Sequence, residues 1–280
     1  MTAVDLSALL IDAPVGRHFA QLHRKSDTLV KSVGLFVESG LRRGKGVVVI
    51  ATQPHTDRFL EYLGRTGIDP EMRRRSGQLI LRDAEETLKL FMHGDYPDWR
   101  EFRVAVGSLI ESLRAAHLTS VCAYGEMVNV LWKAGKHASA IKLEEYWNEL
   151  AKIYPFSLFC GYMMDSCDPT SYDRPLHDIG RTHTHVIATE EDERFRAALD
   201  AASRDVFGTP LAELIAKATI EDFPGEDRLP AGQRAMLWIA RHVPSSSAEI
   251  LQQIRERLQQ VNITATSETK NGTAGITVAP

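Results

Sequence analysis

Gly46 to Ala51 is an unbroken apolar run that passes straight into a turn, Thr52-Gln53-Pro54-His55-Thr56-Asp57, and then into an amphipathic stretch from Arg58 to Leu63. A continuous apolar run of this length reads as a strand buried on both faces, and a helix directly after it implies a parallel sheet covered by helices. Nucleotide-binding proteins of this construction put their phosphate loop at such a turn. Here the turn has no glycine and no Gly-Lys-Ser/Thr, so it lacks the backbone amides that crowd a triphosphate and the lysine that neutralises it. The local pattern therefore favours a binding or sensing module over a phosphoryl-transfer enzyme.

The same alternation runs from Arg17 to about Asp165 and predicts an α/β domain with a mostly parallel sheet. His18 to Leu22 reads as a short strand. Ser26-Asp27 can cap a helix carrying Leu29, Val33, Phe36 and Val37, which Gly40 and Gly44 end. Further strands are expected at Gln78 to Leu81, Ser120 to Tyr124 and Phe156 to Tyr162. Between them lie helices at Asp98 to Ala116, Val128 to Trp132 and Ala138 to Tyr154. Ligands of open α/β sheets bind beyond the carboxyl ends of the strands. That position singles out His23, Thr52, His55, Asp83, Glu126 and Tyr162.

From Thr189 the pattern becomes helical, at Glu190 to Ala202, Thr209 to Ala218, Gly232 to His242 and Ser246 to Val261. The expected organisation is an α/β sensory domain over 1–188, a helical appendage over 189–261, and a tail or β-hairpin over 262–280. The hairpin reading rests on alternation around Asn271-Gly272.

Charge and cysteine use narrow the class. A formal net charge of −4 leaves no electrostatic footprint for nucleic acid, and the basic clusters at Arg42-Arg43-Lys45 and Arg73-Arg74-Arg75 are short. Asp5 and Asp12 flank the apolar patch Leu6 to Ile11, which argues against a signal peptide, and no apolar run is long enough to span a bilayer. Cys122, Cys160 and Cys167 have no paired framework and no metal-type spacing. They fit reduced core cysteines and a cytoplasmic setting.

Several residues could build a site. Glu126, at the end of a buried strand, must be paired, hydrated or protonated, so it either accepts hydrogen bonds from a ligand or caps the following helix. Glu144, Trp147 and Asn148 share a helix face, with Trp132 arriving just before it. This is a pocket wall or an ordinary core face, and spacing favours core, above all for Trp147. His183 and His185 alternate in an extended segment, but zinc would need further ligands, such as Cys160 or His18 from elsewhere. A structural or hydrogen-bonded histidine pair is the favoured reading, and no metal or other cofactor is expected. No hydrolase elbow, His-Glu-x-x-His or Gly-x-Gly-x-x-Gly occurs, so no catalytic residue is assigned.

With these elements in view, the chain resembles the MEDS domain, the methanogen/methylotroph DcmR sensory domain. The matching stretches begin with His18 to Leu22, Gly40-Leu41 with Gly44, and Val49 to Thr52 with His55. They continue through Asp83 to Leu88, Phe91-Met92 with Gly94, Pro97-Asp98, Tyr124 to Val128, and Leu131-Trp132. The last are Leu143 to Glu145, Trp147 to Leu150, Phe156 to Leu158 with Cys160 and Tyr162, and His183 to Val186. Together they span roughly 17–187. His23 stands where relatives often carry an aromatic residue, and Cys122 where arginine is common, so the family's ligand does not carry over. The resemblance implies a RecA-like fold without a working phosphate loop, which binds a small organic molecule and signals to a histidine kinase or regulator. A homodimer is also compatible. Two readings compete with it: a divergent nucleotide-binding hydrolase using Glu126, and a ligand-free interaction module for a partner kinase.

Overall fold

In chain order the strands are β1 (His18–His23), β2 (Gly46–Ala51), β3 (Leu79–Asp83), β4 (Met92–His93), β5 (Tyr96–Pro97), β6 (Val121–Gly125), β7 (Phe156–Met163) and β8 (His185–Ile187). All but β4 and β5 form one parallel sheet in the order β3-β2-β6-β7-β1-β8, while β4 and β5 make a separate antiparallel hairpin. The helices between them are α1 (Leu6–Ile11), α2 (Ser26–Arg42), α3 (Gln53–Arg65), α4 (Pro70–Arg75), α5 (Ala84–Lys89), α6 (Trp99–Ala115), α7 (Met127–Lys133), α8 (His137–Ile153) and α9 (Pro175–Thr182). The computed structural model describes residues 6–271 except 117, 119, 212 and 214–224. The fold is α/β, a parallel sheet with flanking helices followed by a helical C-terminal part.

Every residue of β1, β2 and β6 is buried; β2 and β6 are apolar runs, whereas β1 carries His18, Gln21 and His23 into the interior. On one face of the sheet, Leu29, Val33, Phe36, Val37 and Leu41 of α2 recur at helical spacing and pack on Phe19, Val47, Val49, Tyr124 and Phe159. Each fully buried side chain of this size contributes about 1.5–3 kcal/mol. On the other face lie α6 and α8, where Phe102 and Trp147 meet edge to face at 5.3 Å.

Strand alternation assigns the polar residues of β1 and β7 to opposite faces. Cys160 reaches Glu144 of α8, so His18, Cys160 and Tyr162 lie on the α8 side. A Cβ on Gly161 would touch Leu29 of α2, so Gln21, His23 and Gly161 lie on the α2 side.

The chain forms two units that are not contiguous in sequence. The α/β unit takes in the described residues through Asp165, then Pro175–Ala188, then the described part of Phe223–Leu229. The last piece is held by a close backbone approach between Gly180 and Gly225, by Arg228 donating to the carbonyl of His183, and by His177 against Glu226 at 3.1 Å.

The helical unit comprises Ser166–Arg174, α10 (Glu190–Phe207), α11 (Ala231–His242) and α12 (Pro244–Asn271). A reciprocal capping box between Thr189 and Asp192 starts α10, and Gly208 ends it at φ 66°. Phe195, Leu199, Met236, Ile239, Ile250 and Ile254 are buried there.

Two local expectations change. Lys25, not Ser26 or Asp27, precedes α2 as its cap, without a side-chain bond, and Asp27 instead pairs with Arg58. Residues 262–271 continue α12 rather than forming a strand, because extending an existing helix is easier than nucleating a hairpin with no sheet to join. The rest of the hairpin reading, 272–280, lies outside the described residues, as do 212 and 214–218 of the helix expected at Thr209 to Ala218.

Candidate functional site

Two buried polar constellations stand on opposite faces of the sheet. The first is at the carboxyl ends of β1, β2 and β6. Glu126, 2% exposed, follows β6, and its Oε2 accepts the backbone N–H of Thr52 at 2.8 Å and the Thr52 hydroxyl at 3.1 Å. His55 Nδ1 donates to Glu126 Oε1 at 2.6 Å. Glu126 occupies the cap position of α7 but makes no side-chain bond to that helix, so its carboxylate ties two strand ends together instead of capping. Asp83 does not join this group; it accepts Glu86 N–H at 2.9 Å and caps α5.

Beside Glu126 and His55 lies His23, 1% exposed, whose ring nitrogens make no well-aligned hydrogen bond and have the Lys25 backbone nearby. Burial, assisted by His55, pushes its pKa down to about 4. Two positions back on the same face, Gln21 is fully buried, and neither its amide nitrogen nor its oxygen has a partner. The Tyr124 hydroxyl is likewise buried and unpaired. Gly161 pairs with Gln21 in register, and an added Cβ there would lie 2.7 Å from Leu29 Cδ1 and 3.5 Å from the Tyr124 hydroxyl, so the missing side chain is what lets Leu29 and Tyr124 close onto β7. Sequence reasoning missed Gln21 and Tyr124. The available signal was a polar residue inside a strand whose neighbours are all buried.

The second constellation is enclosed between the sheet and helices α8 and α9. Glu144 Oε2 lies 3.2 Å from His18 Nε2 and 3.5 Å from Cys160 Sγ, and its Oε1 lies 3.2 Å from His183 Nε2. Tyr162 donates its hydroxyl to Glu144 Oε1. The two histidine rings are 4.1 Å apart, and all four of His18, Glu144, Cys160 and His183 are buried. Burial works to raise the Glu144 carboxyl, but the facing His183 and His18 outweigh it and hold it well below the ordinary carboxylate range. Burial and the Glu144 charge push the Cys160 thiol and the Tyr162 hydroxyl up.

Asn148, one turn beyond Glu144, donates its amide N–H to Thr182 O at 2.8 Å and turns its oxygen to His18 Nδ1 at 2.9 Å. Trp132 stands 5.1 Å from the Tyr162 ring and 4.3 Å from His137. Glu144, Asn148 and Tyr162 thus belong together, away from Glu126, and Trp132 adjoins them as a ring contact. Trp147 packs in the core. His183 meets His18, while His185 turns to Phe19 at 5.8 Å, so the expected His183–His185 pairing does not form.

A helix-covered parallel sheet with a glycine-free turn after β2 defines an α/β domain that lacks a phosphate loop at that turn. The family model described as MEDS, MEthanogen/methylotroph, DcmR Sensory domain, matches residues 17–184, and the chain belongs to this family of sensory domains. No curated protein matches it.

Proposed function

We propose that the α/β unit is a non-catalytic sensor that takes a small polar organic molecule on its α2 face, near the carboxyl ends of β1 and β6, and signals to a partner such as a histidine kinase or regulator. The observation that carries this reading is the set of buried, unpartnered groups on Gln21, His23 and Tyr124. Each such group costs about 1–3 kcal/mol when nothing bonds it, so a ligand with matching donors and acceptors recovers that energy on binding. Glu126, Thr52 and His55 then form the rigid rim of the site. Nucleotide hydrolysis is disfavoured because Glu126 is already engaged by Thr52 and His55, and Arg58, the basic residue nearest the turn, pairs with Asp27.

A ligand shifts a two-state protein only by binding its states differently, and we assign the reporting role to the helical unit. Among the described residues, no helix is long and apolar enough to cross a membrane, in keeping with a cytoplasmic receptor. Native mass spectrometry of the full chain against its denatured mass tests the reading. A reproducible organic adduct that disappears in Gln21→Leu supports it; a clean mass in several expression hosts, with no thermal shift across small polar compounds, refutes it and leaves the interaction-module reading.

A further inference from the structure

The cluster on the α8 face has a different chemistry. The ligand-type atoms of His18, Glu144, Cys160 and His183 all lie within 4.8 Å of one another; His18 Nε2, Glu144 Oε2 and Cys160 Sγ form a triangle with sides of 3.2, 3.4 and 3.5 Å, and His183 Nε2 lies 3.2 Å from the second Glu144 oxygen, Oε1. A tetrahedral ion with bonds of about 2.0–2.3 Å holds its ligand atoms about 3.3–3.7 Å apart, so the protein already presents one face of such a polyhedron, with His183 Nε2 close by as the fourth ligand.

The hydrogen bonds around the cluster direct its lone pairs inward. Because the Asn148 amide donates to Thr182 O, its oxygen is what faces His18 Nδ1, which therefore carries the proton and leaves Nε2 bare. His183 Nδ1 donates to Ile179 O at 2.8 Å, which leaves its Nε2 bare as well. That Nε2 is fully buried and lies 3.2 Å from Glu144 Oε1. Two imidazoles fixed through Nδ1, with Nε2 converging on a carboxylate and a thiol, are held as a metal site's outer partners hold its ligands. Tyr162 adds the corresponding bond to the ligating carboxylate.

We propose that His18, Glu144, Cys160 and His183 form a closed, structural binding site for a divalent transition-metal ion of the zinc class. On binding, the Cys160 thiol gives up its proton to solvent, and the thiolate and the Glu144 carboxylate balance the two positive charges. Two imidazoles, one oxygen and one sulfur suit zinc, and four protein ligands leave no open position for a reacting water. The ion pins β1, β7, α8 and the α9–β8 turn at one point. This site is separate from the ligand-binding reading above, and its failure would leave that reading untouched.

The test uses the full chain, first analysed for metal after expression with zinc and removal of loosely held ions. It is then stripped with chelator and titrated with Co2+ alone. The expected results are about one zinc per chain, and a cobalt spectrum with tetrahedral d–d bands and thiolate-to-metal charge transfer. Cys160→Ser should abolish the charge-transfer band, and Cys122→Ser, at a buried cysteine outside the cluster, should retain it. Asn148→Ala should weaken cobalt binding by about 10–100-fold. Circular dichroism identifies any variant that fails to fold, and His183→Gln then replaces it. Absence of zinc together with no cobalt spectrum overturns the proposal. So does a spectrum without charge transfer, or one that survives Cys160→Ser.

Discussion

Glu126 reaches from the end of β6 to the turn after β2, where its carboxylate accepts the backbone N–H of Thr52 at 2.8 Å. The same carboxylate takes His55 on its other oxygen. Replacing it with Leu would strand the part-buried Thr52 N–H and the buried His55 Nδ1, and the expected cost is about 3 kcal/mol of unfolding free energy. Glu126→Gln keeps an acceptor for Thr52 and should cost less than half as much. Urea denaturation of the two variants checks this; equal losses would mean that the carboxylate's bonds are not what holds the turn.

His23 makes stability depend on pH. Its pKa falls from 6.5 to about 4 through burial and His55, against the raising effects of Glu126 and of the Lys25 backbone, with Lys133 adding a small lowering. Between those values the unfolded chain binds a proton that the folded chain excludes, so stability falls as pH drops from 6.5 towards 4 and is fully present above 6.5. The loss attributable to this residue is on the order of 3 kcal/mol. His23→Phe should flatten that part of the curve, and parallel stability curves for the two proteins from pH 7 to 4 would contradict the assignment.

Gly161 lets Leu29 and the Tyr124 hydroxyl pack closely against β7. A Cβ there would sit 2.7 Å from Leu29 Cδ1 and 3.5 Å from the Tyr124 oxygen. Gly161→Ala is expected to cost about 1–3 kcal/mol as Leu29 shifts, and to abolish the organic adduct detected in the native mass spectrum. An adduct that persists in a folded Gly161→Ala protein would place the ligand elsewhere.

Gly225 tests the discontinuous α/β unit. It adopts φ 93°, and a Cβ would lie 2.5 Å from the backbone nitrogen and Cα of Arg181. Gly225→Ala should therefore cost more than about 2 kcal/mol and release the Phe223–Leu229 segment. Hydrogen exchange in α9 reads this directly; unchanged protection there would show that the segment contributes nothing.

The sheet was legible because its long strands are apolar runs: β2 and β6 announce themselves, and α2 declares its buried face through Leu29, Val33, Phe36 and Val37. Two strand elements escaped notice, as did the short helices α1, α4, α5 and α9. β8 has three residues and starts with a histidine, too short for periodicity to register, and each strand of the β4–β5 hairpin has two. Of the site residues, Thr52, His55 and Glu126 could be placed together because strand ends in a parallel sheet converge. His18 could not be joined to Asn148 in advance, since they lie 130 residues apart and only the packing of α8 on the sheet brings them together. Local spacing linked His183 to His185, but the chain turns between α9 and β8, and the two rings separate.

The return of Phe223–Leu229 to the α/β unit also sets an order of synthesis. A chain emerging from the ribosome completes all six sheet strands at Ile187, yet lacks the partner for Gly180 until Gly225 has been made. Domains generally fold as units during translation, and this one must wait while α10, which belongs to the other unit, is extruded in between. A gene fragment ending at Thr189 would consequently encode an unfinished sensor, and its failure to bind a ligand would say nothing about where that ligand sits.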